Sequence, residues 1–236
     1  MPILLRSPHQ TRWLQWFLIL VLGCNIVLIL WGGHLVPATL TTANGSGTLL
    51  FPLILQVVIA LFALFGPLSF QQCRSSIWIS LLLGTLFAVT YGGIVLLEFH
   101  GIFLGLNIWL VFLVPASLAG FLVSWRTGQI AQGVVAAIWT LVIGTAIWSL
   151  GVLLINYSFW GTHQWYLYWL KDGAIEEFRE AHSTDLQVFL LQDLQGALLF
   201  HTILSGVLGA ICGLITSGAA SLLRSFQRRF FARHHS

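Results

Sequence analysis

The chain has 236 residues, of which 58% are hydrophobic and only 7% are charged. Soluble domains carry about 25% charged residues, so this composition excludes an ordinary water-facing surface. The net charge of +3 comes from basic residues scattered along the chain, and they form no stripe that could follow a nucleic-acid backbone. The composition therefore predicts an all-α, polytopic membrane protein whose partner is the lipid bilayer and not a nucleic acid.

Six apolar segments follow one another along the chain. Each is long enough to cross about 30 Å of hydrocarbon at about 1.5 Å per residue. We therefore predict a six-transmembrane-helix bundle that forms a single transmembrane domain over residues 1–236. The predicted helices are 13–31, 49–70, 77–97, 102–125, 130–155 and 194–223.

Basic and acidic residues lie in different connections between these helices. Eight arginines fall on one side of an alternating six-helix arrangement: Arg6, Arg12, Arg74, Arg126, Arg224, Arg228, Arg229 and Arg233. Six of the seven acidic residues lie in segment 156–193, between the fifth and sixth helices. Because basic residues near membrane ends mark the cytoplasmic side, we expect a plasma (inner) membrane protein with both termini cytoplasmic and segment 156–193 outside.

Segment 156–193 is rich in aromatic residues and then becomes amphipathic. Asp172 is expected to cap a short helix, and Thr184 with Gln187 has the spacing of a capping box for the next helix. An unbroken helix from there to the end of the sixth segment would be roughly 60 Å long. We therefore predict a break near Gln192–Gly196, where glycine weakens a helix.

Ionisable residues at membrane depth are a reason to expect a functional site. Glu98 and His100 end the third predicted helix, while Asp193 and His201 lie at the start of the sixth. Alternating helices bring all four to the same outer layer, so a substrate or proton site there is one interpretation of the sequence. Two other interpretations stay open: a solvated turn at Glu98 and His100, and a structural hydrogen bond at His201.

Cofactor and metal sites have weak support in the sequence. His100 and His201 could ligate haem or chlorophyll from facing helices, but nothing in their spacing requires it, and this interpretation is not favoured. The cysteines, Cys24, Cys73 and Cys212, are far apart and contain no C-x-x-C pair, so we predict no metal site. No catalytic motif is recognised either.

Small residues recur every fourth position in the sixth predicted helix. They are Ser205, Gly209, Gly213 and Ser217, followed by Ser221. Such a column allows the backbones of two helices to approach closely. It predicts tight packing against a helix of the same chain, of another membrane subunit, or of a second copy in a homo-oligomer.

Six helices, no fused energy-supplying domain and a structured outer segment are typical of a permease-like component of a transport system without its own energy source. This expectation comes from architecture and not from a site. One alternative is a non-catalytic integral-membrane subunit of a larger respiratory or photosynthetic complex. A third is an intramembrane enzyme, which the absence of a catalytic motif disfavours.

Overall fold

The computed structural model describes residues 8–41, 45–65, 74–96 and 102–234. Every regular element in these ranges is a helix, which confirms the all-α prediction. The helices are α1 (Pro8–Leu35), α2 (Ala38–Thr41), α3 (Gly45–Phe65), α4 (Arg74–Leu96), α5 (Ile102–Thr127), α6 (Ile130–Ser158), α7 (His163–Asp172), α8 (Ala174–Glu180) and α9 (Leu186–His234).

Four stretches of helix are long and apolar enough to cross a membrane. They are Gln15–Leu35, Trp109–Thr127, Ile130–Ser158 and Leu186–Arg228. Shorter apolar stretches lie in the other two long helices, Leu49–Ala63 in α3 and Ile77–Gly93 in α4. The helices thus support a membrane-embedded protein, while the number of six spans stays a prediction.

Apolar side chains cover the outward face of these helices as well as the inward face. In α1, Leu22 and Ile29 are 0% and 1% exposed, whereas Leu20 and Val27 are 64% and 63% exposed. A helix that is apolar all round belongs in a large core or in lipid. Because a chain of this size has no larger core to offer, the exposed apolar faces suit the bilayer.

The chain divides into two compact units. The first contains the start of α1, then α4, α5, most of α6 and the C-terminal two-thirds of α9. Its core is aromatic, since the ring of Phe112 contacts Phe87 at 4.7 Å and Tyr91 at 5.4 Å between centroids. Leu141 and Cys212 are buried in the same cluster.

The second unit contains most of α1, then α2, α3, the end of α6, α7, α8 and the start of α9. Its buried side chains are mainly leucines and isoleucines, among them Leu22, Ile29, Leu153 and Leu190. Four amides are buried with them, Asn25, Gln56, Asn156 and Gln195. Unit two therefore holds polar groups inside an otherwise apolar interior.

The predicted break near Gln192–Gly196 is wrong, because α9 runs without interruption over 49 residues, about 73 Å. Glycine costs only about 1 kcal/mol in a helix relative to alanine. A break would instead free backbone N–H and C=O groups in apolar surroundings, which costs several kcal/mol per group. Leu194 and Leu198 on either side of Gly196 are buried and hold the helix against its unit.

The predicted capping role of Asp172 is also wrong. Asp172 is the last residue of α7, and Gly173 both ends α7 and precedes α8. Gly173 has φ 91°, in the left-handed region that glycine adopts without steric cost. The reversal between the two short helices therefore depends on glycine and not on a carboxylate cap.

Asp185, and not Thr184, caps α9. Its Oδ1 accepts hydrogen bonds from the backbone N–H groups of Gln187 at 3.0 Å and Val188 at 3.1 Å. The predicted capping box was thus one residue out of register. Asp and Thr are both good N-cap residues, so their order alone did not distinguish them.

Candidate functional site

Two of the four predicted site residues lie outside the described residues, namely Glu98 and His100. The other two, Asp193 and His201, are partly buried on α9. Eight residues of unbroken helix separate them by a rise of about 12 Å. This is too far for a direct hydrogen bond between the two side chains, so a shared site would need a group that bridges them.

His201 interacts with its own helix. Its Nδ1 lies 2.7 Å from the carbonyl oxygen of Ala197, one turn earlier. Because a carbonyl oxygen only accepts, Nδ1 carries the proton, and in the neutral ring Nε2 is then the acceptor nitrogen. The ring of Phe200 lies edge-on to the imidazole at 5.5 Å.

Asp193 belongs to a group of acidic and aromatic residues that we call the acidic layer: Tyr168, Asp172, Glu177 and Asp193. Burial raises the pKa of Tyr168, and the charges of Asp172 and Asp193 raise it further. The carboxylates of Glu177 and Asp172 act electrostatically on Asp193. The structure therefore groups Asp193 with the acids of α7 and α8, an arrangement that attracts positive charge.

A buried polar pair joins α6 and α9 at Gln195, two residues after Asp193. Gln195 is 0% exposed, and its Nε2 donates to the hydroxyl of Tyr157 at 3.3 Å. The Oε1 of Gln195 is buried and has no hydrogen-bond partner among the described residues. Leaving such an acceptor unpaired costs about 1–3 kcal/mol.

Gly32 of α1 makes room for this pair. A Cβ at Gly32 would collide with the Tyr157 hydroxyl and would lie 3.1 Å from the side chain of Leu191. Neither Gln195 nor Gly32 stands out in the amino-acid sequence. The available signal was an amide within an apolar helix, which is more often a packing contact than a binding group.

Two buried indole groups of α7 add hydrogen-bond donors in the same unit. Trp165 and Trp169 are both buried, and in the described ranges neither Nε1 has an acceptor. Thr162 caps α7 by accepting from the backbone N–H of Trp165 at 3.2 Å. The cap and the burial hold both rings in place.

In the first unit, the column Ser205, Gly209, Gly213 and Ser217, which we call the small-residue seam, lies against α6. A Cβ at Gly209 would lie 2.7 Å from Cα of Ile138, and one at Gly213 would lie 2.8 Å from Cα of Val134. Real Cβ atoms do not approach backbone this closely. Only glycine therefore allows this separation between the two helices.

Hydroxyl groups at both ends of the small-residue seam hydrogen-bond to neighbouring helices. The Oγ atoms of Ser205 and Thr145 of α6 are 2.5 Å apart. Ser124 of α5 donates to the carbonyl oxygen of Ser217 at 3.1 Å, and Ser217 donates to the carbonyl oxygen of Gly120 at 3.2 Å. The seam is thus filled by α5 and α6 of the same chain.

Within the described ranges, no group of three or more His, Cys, Asp or Glu side chains is placed to hold a metal ion. Comparison with protein-family models, with curated proteins and with solved structures found no match to this chain. The assignment of a function therefore depends on the residues and their geometry.

Proposed function

We propose that the chain is the permease-like, membrane-embedded component of a transport system that lacks its own energy source. The observation that supports this most is the buried pair of Tyr157 and Gln195, with the unpaired Gln195 oxygen. Amides inside apolar helices most often join neighbouring helices, but an acceptor that stays unpaired there leaves a hydrogen bond for a solute to make.

The acidic layer indicates which class of solute the pair of Tyr157 and Gln195 would bind. Tyr168, Asp172, Glu177 and Asp193 combine negative charge with an aromatic hydroxyl. Such a surface raises the local concentration of cations and of hydrogen-bond donors. A solute that carries a protonated amine or several N–H groups fits both the layer and the Gln195 acceptor.

Six spans with both termini cytoplasmic are part of the proposal. α3 has 21 residues and α4 has 23, so they are about 32 and 35 Å long and match the hydrocarbon thickness. The arginines then lie on the cytoplasmic side of the inner membrane and the acidic segment lies outside. This arrangement places the acidic layer where solutes arrive.

We expect the energy source to be a separate subunit. α5 ends at Thr127 and α6 begins at Ile130, so the connection between them holds only two residues. No nucleotide-binding domain fits into a connection of this length, which makes a separate ATP-hydrolysing subunit the partner we expect.

A non-catalytic role in a larger respiratory or photosynthetic complex is the second candidate. The tight seam between α6 and α9 is compatible with it, because rigid packing suits a structural subunit as well as a permease. Since the small-residue seam is filled within the chain, a partner subunit would contact another face of α9.

Purification from native membranes in a mild detergent distinguishes the two candidates. The transport proposal expects a co-purifying subunit with ATPase activity, and redox-active subunits in its place would contradict it. Gln195→Leu should then reduce ATP-driven uptake of a solute with a protonated amine by about ten-fold, while the ATPase subunit still co-purifies. Gln187→Leu changes an exposed glutamine of the same helix and serves as the control, with uptake unchanged.

A further inference from the structure

A cavity of about 200 Å³ lies at the connection between α5 and α6, against the C-terminal part of α9. It is lined by Thr127, Gly128, Ser221, Arg224, Ser225 and Arg228. One water needs only about 10–15 Å³ of such volume, so the cavity has room for a polyatomic group. Every lining side chain is polar or basic, and none is acidic.

Gly128 and Arg224 lie next to each other in the lining of this cavity. Gly128 has φ 76°, and a Cβ at this position would collide with the guanidinium group of Arg224. Glycine therefore meets a backbone requirement and a space requirement at once. The Nη1 of Arg224 is buried and has no hydrogen-bond partner among the described residues.

No acidic residue near this cavity in the sequence balances its charge. The chain has no Asp or Glu from residue 99 to residue 171, and none after Asp193. Arg224 and Arg228 are four residues apart on α9, so their like charges repel each other at short range. An anion from outside the chain would remove that repulsion and would supply the acceptor that Nη1 lacks.

We propose that the cavity binds a phosphate group, carried either by a lipid headgroup or by free phosphate. Guanidinium groups match phosphate oxygens with pairs of parallel hydrogen bonds. Thr127 and Ser225 already donate their hydroxyl protons to backbone carbonyls, so Arg224 and Arg228 are the groups that recognise the anion. α6 begins at Ile130, and the positive end of its dipole adds to the attraction.

The position of the cavity suits both sources of phosphate. Arg228 is the last residue of the apolar stretch Leu186–Arg228, which puts it at the depth of headgroups when α9 crosses a bilayer. A free anion in the water beyond could reach the same point. The site does not depend on the transport proposal, because it involves none of the residues of the acidic layer.

Direct binding measurements in two settings test the site and identify the source. In the first, equilibrium dialysis with labelled inorganic phosphate is carried out on protein freed of lipid in a non-ionic detergent. In the second, native mass spectrometry counts lipids that stay bound after release from phosphatidylcholine nanodiscs with added phosphatidylglycerol. Binding of inorganic phosphate in the first setting identifies free phosphate as the ligand. Retention of phosphatidylglycerol in the second setting, without phosphate binding in the first, identifies a lipid headgroup as the ligand.

The variants decide whether this cavity is responsible. Arg224→Gln should weaken binding by about ten-fold or more. Arg126→Gln removes an exposed arginine that does not line the cavity, and it should change binding by less than about two-fold. Arg224→Lys keeps the positive charge and replaces the glutamine variant in the test if that variant does not fold. It should also weaken binding, because lysine lacks the paired N–H donors of the guanidinium group. Equal effects at Arg224 and Arg126, or no binding in either setting, would overturn the proposal.

Discussion

At Gly209 and Gly213 a single hydrogen atom decides how closely α9 can approach α6. The backbone of α6 lies 2.7 Å and 2.8 Å from where a Cβ would stand at these two positions. Backbone atoms cannot rotate out of the way as a flexible side chain can. Gly218, further along α9, has nothing within 4 Å of that position, which provides a matched control.

We predict that Gly209→Ala destabilises the protein by about 1–3 kcal/mol, since the added methyl group forces the helices apart. Gly218→Ala should be neutral or should stabilise by up to about 1 kcal/mol, through helix propensity alone. Thermal unfolding of the purified variants in one detergent measures both. Equal stability of the two variants would mean that the close approach at Gly209 does not exist in solution.

Residue spacing explains which of these features could be predicted. The recurrence of small residues at every fourth position is visible in the sequence, so close packing along that column could be expected. The partner atoms of His201 and Gln195 could not be predicted, because they depend on which side chain faces which. The space that Gly128 provides for Arg224 brings together residues 96 positions apart, and no local pattern indicates it.

Among the elements, α9 differs most from expectation. Its length of 49 residues exceeds the bilayer by far, and glycine at position 196 suggested an interruption. The local cost of glycine is smaller than the cost of freed backbone groups in an apolar setting. Helix existence could thus be predicted from the apolar pattern, whereas its continuity depended on packing that the pattern does not contain.

We predict that spin labels at Gln187 and Phe200, which are both exposed, report one narrow distance near that of a straight helix. Their Cα atoms are 13 positions apart, or about 20 Å along the axis. The label pair requires a background in which the native cysteines are replaced. Gly196→Pro is the control that interrupts the helix, and it should broaden the distribution. A broad distribution in the protein without proline would indicate a break near Gly196 and would contradict a continuous α9.

At the scale of the whole molecule, charge and hydropathy act together. Eight of the nine arginines lie on one side of the predicted six-span arrangement, and six of the seven acids lie in segment 156–193. The helices between them are apolar on their exposed faces. Both features could be predicted, because they follow from the amino-acid composition and from the order of charged and apolar residues along the chain. The division into two compact units could not, since it arises from contacts between helices distant in sequence.

The most direct test of the central claim, a six-span protein with its arginines cytoplasmic, is labelling of single cysteines by a membrane-impermeant maleimide in intact cells. The background lacks Cys24, Cys73 and Cys212. Cysteines at His34 and Gln164 should react without permeabilisation, because both are exposed and lie on the predicted outer side.

Cysteines at Gln71, Gln129 and Ser236 should react only after the membrane is permeabilised, because the six-span topology places all three on the cytoplasmic side. Gln71 separates six spans from four, since its shielding requires α3 to cross the bilayer. Labelling of Ser236 in intact cells would contradict the six-span topology. Equal labelling of Gln129 and Gln164 in intact cells would contradict it too, because these two positions are predicted to lie on opposite sides of the membrane.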